Sequence, residues 1–146
     1  MISILSAKRT LVISSLSCLI ATAALPLLAA DRQTPGQYEF TVTTDGKTHV
    51  STYCVTPEDA KAVNADAKAG REYAEKAAKG GCSVTAYEIK GETVLFTLAC
   101  GDSGRTSSVT YHGNTFDGDT TYTFMAQGKR MVRVSHIEAK RMGVCK

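Results

Sequence analysis

Over most of the chain after residue 35, hydrophobic and polar positions alternate residue by residue, and one stretch breaks the rhythm. Tyr38, Phe40 and Val42 alternate with Glu39, Thr41 and Thr43, the period of a strand with one buried face. Asp45-Gly46 follows as a two-residue hairpin turn, and a second strand is predicted over residues 47–55. The period then changes. Thr56-Pro57-Glu58-Asp59 places a capping hydroxyl, a first-turn proline and an acid at the third helical position. From there an Ala-rich segment is predicted to run as helix to Lys79, where Gly80-Gly81 stop it. Its apolar face, Ala60, Val63, Ala67, Ala74 and Ala77, is made of small residues, and Gly70 is expected to break it in two. Strand alternation returns over residues 83–90, 93–100, 105–112, 115–127 and 129–141, with Gly91, Gly101, Gly104, Gly113 and Gly128 in the connections. Connections this short make successive strands antiparallel neighbours. The expected fold is mainly β (α+β): a curved antiparallel meander of six or seven strands, closing toward a barrel, with one inserted helical segment.

Composition adds an address to this picture. The 146 residues include five Cys, twelve Gly and no Trp. Lys8 and Arg9 precede an apolar run from Leu11 to Leu28, which ends in Ala29-Ala30 before the charged Asp31-Arg32. That order is the order of a secretory signal peptide, so residues 1–30 are read as a leader cleaved after Ala30 and residues 31–146 as one domain. The alternative is an uncleaved membrane anchor, since the run is about as long as a bilayer requires. Ser14, Ser15, Ser17, Thr22 and Pro26 weaken that alternative. A lipoprotein signal would need Leu three residues before Cys18, where Ser15 stands. Without the leader, 15 basic residues face 14 acidic ones, and the net charge of the whole chain says little about partners.

Four cysteines remain: Cys54, Cys82, Cys100 and Cys145. An even count in a small exported domain reads as two disulfides. The 27, 17 and 44 residues between successive cysteines do not suit zinc ligands. Register suggests the pairing. A Gly91-Glu92 loop sets Ile89 opposite Val94 and Tyr87 opposite Phe96, with Cys100 on their side and Cys82 on the other. Around Asp45-Gly46, Tyr38 falls opposite Tyr53, and Cys54 takes the reverse face with Cys82. The favoured pairs are therefore Cys54 with Cys82 and Cys100 with Cys145, a reading that a single β-bulge overturns. The second pair also requires the last strand to bend, near Gly143.

The chain resembles a known family at this point. Pro35-Gly36-Gln37-Tyr38-Glu39, Cys54-Val55-Thr56-Pro57-Glu58-Asp59-Ala60, Cys82-Ser83-Val84-Thr85, Gly91-Glu92-Thr93-Val94, the run from Tyr111 to Gly118 and the ending Lys140-Arg141-Met142-Gly143-Val144-Cys145-Lys146 are similar to the exported bacterial family catalogued as domain of unknown function 3617. Tyr38 stands where that family usually has Trp, and Val144 where it often has Asp. The resemblance implies a Gram-negative periplasmic location and supplies no activity, substrate or catalytic residue.

Motifs for chemistry mostly give way to simpler readings. Gly101-Asp102-Ser103-Gly104 is similar to the segment around a serine-protease nucleophile, but Ser needs a His base and an orienting acid. His49, His112 and His136 lie in strand-like contexts without a matching motif. A Gly-flanked hairpin is the better account. Asp117-Gly118-Asp119 lacks the continued acids and bidentate Glu of a calcium loop. His136, on a face with Val132 and Val134, reads as a core or rim residue. No phosphate-cradling loop, paired zinc histidines or dinucleotide fingerprint occurs. Catalytic, metal and cofactor assignments are therefore none.

One asymmetry is left. Residues 129–146 carry six basic residues against Glu138 alone, while residues 31–128 carry nine basic and thirteen acidic. Lys129, Arg130, Arg133, Lys140 and Arg141 form a candidate surface for an anionic partner, such as an envelope component or an acidic protein. The plainer reading, which is favoured, is an edge strand blunted by cations against pairing with other chains. Nucleic acid is not expected, and membrane contact is at most peripheral once the leader is removed. Two functions follow from different classes. The first is a non-enzymatic periplasmic binding or cell-envelope accessory domain. The second is a small inhibitor of a hydrolase, in the manner of lysozyme inhibitors, or a hydrolase itself.

Overall fold

The computed structural model describes residues 31–78 and 80–146, and the leader predicted over residues 1–30 lies outside the described residues. Seven antiparallel strands form one open, curled sheet: β1 (Gly36–Thr44), β2 (Lys47–Val55), β3 (Cys82–Lys90), β4 (Thr93–Cys100), β5 (Ser103–Tyr111), β6 (Thr115–Ala126) and β7 (Lys129–Gly143). Helices α1 (Pro57–Asn64) and α2 (Ala67–Ala77) connect β2 to β3. The strand order is β2-β1-β7-β6-β5-β4-β3. Strands β3 to β7 are the predicted meander, but the β1–β2 hairpin lies beyond β7 and not beside β3. The two edges, β2 and β3, do not pair, so the curved sheet is open. The helical connection must run from one edge to the other, and it covers part of the inner face.

Local chemistry accounts for most of the elements. Asp45 and Gly46 both take positive φ, 50° and 73°, the backbone of a type I′ turn, whose twist matches the strands it joins. The capping box forms as expected: Asp59 N donates to Thr56 Oγ1 at 3.1 Å and Thr56 N to Asp59 Oδ2 at 3.0 Å. The helix breaks at Ala65-Asp66 and not at Gly70, because the Asp66 carboxylate accepts from Ala69 N at 2.9 Å and caps a new helix. Gly70 lies buried inside α2, where a Cβ would collide with the Tyr87 phenol, with Cζ at 2.8 Å.

Tyr38, Val55, Ala60, Val109, Phe116 and Ala139 form the buried core between α1 and the inner face. Phe116 is its hub, with ring centroids 5.7 Å from Tyr38, 5.4 Å from Phe40 and 5.3 Å from Tyr111, separations at which aromatic pairs attract. Tyr38 is fully buried and its hydroxyl donates to Thr34 O at 2.7 Å. The segment before β1 straps α1 to the β5–β6 turn: Arg32 Nε donates to Val63 O at 2.7 Å, and Thr34 N to Gly113 O at 2.9 Å. Arg32 thereby satisfies carbonyls left open at the helix C-terminus.

Both expected disulfide pairs are corrected. The bridges are Cys54–Cys145 and Cys82–Cys100. The β3–β4 register begins as predicted, with Tyr87 opposite Phe96 and Ile89 opposite Val94, then shifts between Val84 and Ala86. The extra residue, Thr85, moves every position before it to the other face, so Cys82 comes directly opposite Cys100 at a Cα separation of 4.1 Å. At the far side Gln37 lies between Cys54 on β2 and Gly143 on β7. The chain past Gly143 crosses the end of β1 and brings Cys145 to Cys54, 5.5 Å between Cα atoms. Because β7 pairs with β1, the tail has no need to reach Cys100.

Candidate functional site

Three strands and the two helices enclose a cavity of about 320 Å³, at the small end of the range for ligand sites. Its apolar floor comes from the inward positions of β4, Val94, Phe96 and Leu98, and its roof from Ala-rich α2. Small roof residues place the helix backbone close over the sheet but leave space where longer side chains would have filled it. Arg71 holds the roof to the edge strand, donating from Nη2 to Val84 O at 2.9 Å, beside the bulge.

Polar groups enter this apolar space from three sides. Tyr73 of α2 donates to Asp59 Oδ1 at 2.5 Å on the helical side. That bond to the carboxylate and the surrounding burial push the Tyr73 phenol up to about 12. Burial pushes the Asp59 carboxyl up, but the hydrogen bonds from Tyr73 and Thr56 outweigh it and hold Asp59 below its ordinary value. Tyr87 and Tyr111 project from β3 and β5. Burial pushes the Tyr111 phenol up to about 12, so at neutral pH it is a neutral hydroxyl.

Among the described residues that line the cavity, Arg105 is the only cation. On β5 it shares the inward face with Ser107, Val109 and Tyr111. Its guanidinium lies 5.3 Å from the Phe96 ring centre and 5.7 Å from that of Tyr122. Its Nε donates to Ser107 Oγ at 3.1 Å. Among the described residues no carboxylate lies within ion-pairing distance of it, whereas Arg71 and Arg133 each have one. A guanidinium stacked between rings, half withdrawn from water and without an anion, is equipped to receive one.

The residues singled out from sequence separate on this fold. Lys129, Arg130 and Arg133 lie at the start of β7, and Lys140 and Arg141 near its end, roughly 30 Å apart at the rise of a strand. They form no single surface. Arg141 Nε donates to Pro35 O at 2.9 Å and is structural, while Lys140 lies among Glu39, Asp117 and Glu138. Nor is β7 an edge strand, for β1 and β6 flank it, although its first six residues extend past the last β1 pairing at Ser135. Ser103 Oγ donates to Cys100 O at 2.9 Å in the β4–β5 hairpin. His112 follows the opposite end of β5, beside Asp117 at 3.2 Å, so the two form no dyad. His136 is exposed and pairs with Asp119 at 2.9 Å, and that hydrogen bond holds its imidazole above the ordinary range. Gly118 between the two aspartates faces inward, where a Cβ would strike Ser108 O and the Val109 Cα, so close strand packing explains it. Among the described residues no three His, Cys, Asp or Glu side chains gather as a metal site would require, and no helix is long and apolar enough to cross a membrane.

The sequence pattern gives Arg105, Tyr87 and Tyr111 no ligand-binding role, and the fold brings them together in one cavity. The available signal was an arginine on the apolar parity of its strand, in step with Val109 and Tyr111.

A family model described as "Protein of unknown function (DUF3617)" matches residues 33–145. No curated protein and no solved structure matches the chain.

Proposed function

The chain belongs to the DUF3617 family, whose description assigns no activity, and we propose from its own architecture that it is an exported, non-catalytic binding domain of the bacterial periplasm. Its ligand is a small, largely apolar molecule with one anionic group. The carrying observation is the cavity under α2: apolar walls, the Tyr87 and Tyr111 hydroxyls, an Asp59 carboxylate already held by Tyr73, and one arginine without a carboxylate partner. The apolar body would lie against Val94, Phe96 and Leu98, and the anion would meet Arg105. The two disulfides support an oxidising compartment, and Cys82–Cys100 ties together β3 and β4 at the cavity side of the sheet.

Displacement of a solvatochromic dye by medium-chain alkanoates tests this reading. The carboxylate should compete saturably, and the alcohol of equal chain length should bind about tenfold more weakly, the value of one charge-assisted hydrogen bond. In Arg105→Gln the difference between acid and alcohol should vanish while dye binding persists. Absence of saturable binding, or an acid preference unchanged in Arg105→Gln, would defeat it.

A further inference from the structure

The hairpin of β6 and β7 outgrows its neighbours. β5 pairs with β6 only as far as Thr123, and β1 pairs with β7 only from Ser135 onward. Residues 124–134 therefore form a two-stranded projection with no strand on either side, closed by Gln127-Gly128 at φ 51° and 72°.

This projection has an unusual surface. Residues 122–134 contain Lys129, Arg130 and Arg133 and no Asp or Glu. Arg133 pairs with Asp45 at 3.2 Å. Among the described residues, Lys129 and Arg130 have no carboxylate within ion-pairing distance. Large apolar side chains stand in water beside them: Met125 and Met131 are about half exposed, Val132 is 63% and Val134 54% exposed. Cross-strand register assigns them to both faces. Phe124 and Met131 share the inner face, whereas Met125 and Arg130 share the outer face with Val132 and Val134.

We propose that this projection docks on an anionic lipid surface by inserting its tip among the headgroups. A protein partner would cover one face of a flat ribbon and leave the other apolar face wet. Entry of the tip into a bilayer interface covers both faces at once, and Lys129 and Arg130, on opposite faces beside the turn, reach the phosphates on their long side chains. The projection carries no residue of the cavity floor or roof, so this surface is separate from the proposed ligand site.

Vesicle co-sedimentation of the secreted, oxidised protein tests the proposal, with phosphatidylcholine vesicles with and without phosphatidylglycerol. Binding should require phosphatidylglycerol and fall as salt is raised. Lys129→Gln and Arg130→Gln should each weaken it about fivefold, and Met125→Ser with Val132→Ser should abolish it with the thermal midpoint unchanged. A control, Lys61→Gln with Lys68→Gln on the exposed sides of α1 and α2, should bind as the parent does. No binding, equal binding to both vesicles, an equal loss in the control, or capture of an acidic protein in place of lipid would each overturn it. Dye binding in the cavity should be unaffected by every tip variant, which separates this outcome from failure of the ligand reading.

Discussion

The cavity end of the sheet and the projecting hairpin are made from the same alternating strands, and they differ in what covers them. Over β3 to β5 the inward residues Val94, Phe96 and Tyr111 meet a helical roof, and a disulfide joins the two outermost strands. Before Ser135, where β1 no longer flanks β7, Met131, Val132 and Val134 are left about half exposed or more. Between the two regions the inner face turns polar: Ser107 Oγ lies 3.0 Å from Thr120 Oγ1, and Thr44 Oγ1 lies 2.6 Å from Ser135 Oγ. Ser107, Thr120 and Ser135 are buried, and each of their hydroxyls finds a hydroxyl partner, as polar groups removed from water must. They mark where the covered core stops. An alternating pattern thus specifies that a face is apolar, and the neighbouring elements decide whether that face becomes a core, a pocket or an exposed contact surface.

The largest effect should come from the staple that holds the covered body. Replacing Cys54 and Cys145 together by Ala opens a loop with a sequence separation of 91, and the chain-entropy model assigns it about 4 to 5 kcal/mol. The Cys82–Cys100 bridge, with a separation of 18, should be worth about 3 kcal/mol. Urea midpoints of the two double variants check the order, and a greater loss from the shorter loop would contradict it. Neither change should alter the free tip.

Gly70→Ala strikes the cavity alone. The new methyl meets the Tyr87 ring, and the net cost should be about 1 to 2 kcal/mol after the helix-propensity gain of alanine is offset. Dye affinity should fall with it, while vesicle binding stays at the parental level. Unchanged affinity in Gly70→Ala would detach Tyr87 from the site.

The smallest effect is electrostatic and lies on the outer face between the two regions. The hydrogen bond from Asp119 raises the His136 pKa in the folded protein above its ordinary 6.5. The pair's contribution to stability is therefore fully present below about 6.5 and is lost as pH rises through the raised value. Both groups are exposed, so the contribution is small and is screened by salt. NMR titration should show the imidazole returning toward 6.5 in Asp119→Asn; a shift that survives this substitution would assign the cause elsewhere.

Reading the strands from sequence succeeded where the signal was local. The Asp45-Gly46 and Gly91-Glu92 turns fixed the opposition of Tyr38 with Tyr53 and Tyr87 with Phe96. It failed at Cys82, because parity is counted from the turn and Thr85 inserts one residue into the count. No side-chain pattern around Thr85 announces the bulge. Glycine's low helix propensity marks Gly70 as a helix breaker, but its role is steric and depends on a tyrosine seventeen positions later in the chain. The five cations near the C-terminus are close in sequence, yet an extended strand spaces them along its length and on both faces, so proximity in the sequence did not make a patch.

The sequence by itself determined the strands, the tight turns, the capped helical insert and the presence of four pairable cysteines, since each depends on residues within a few positions of one another. Tertiary structure alone decided that β7 lies between β1 and β6, which cysteines meet, that Arg105 faces a cavity without a counter-ion, and that one hairpin projects beyond its neighbours. Those outcomes depend on strand lengths and on contacts between segments distant in the chain. Burial is a property of what packs against a residue, and a local pattern carries no record of that partner.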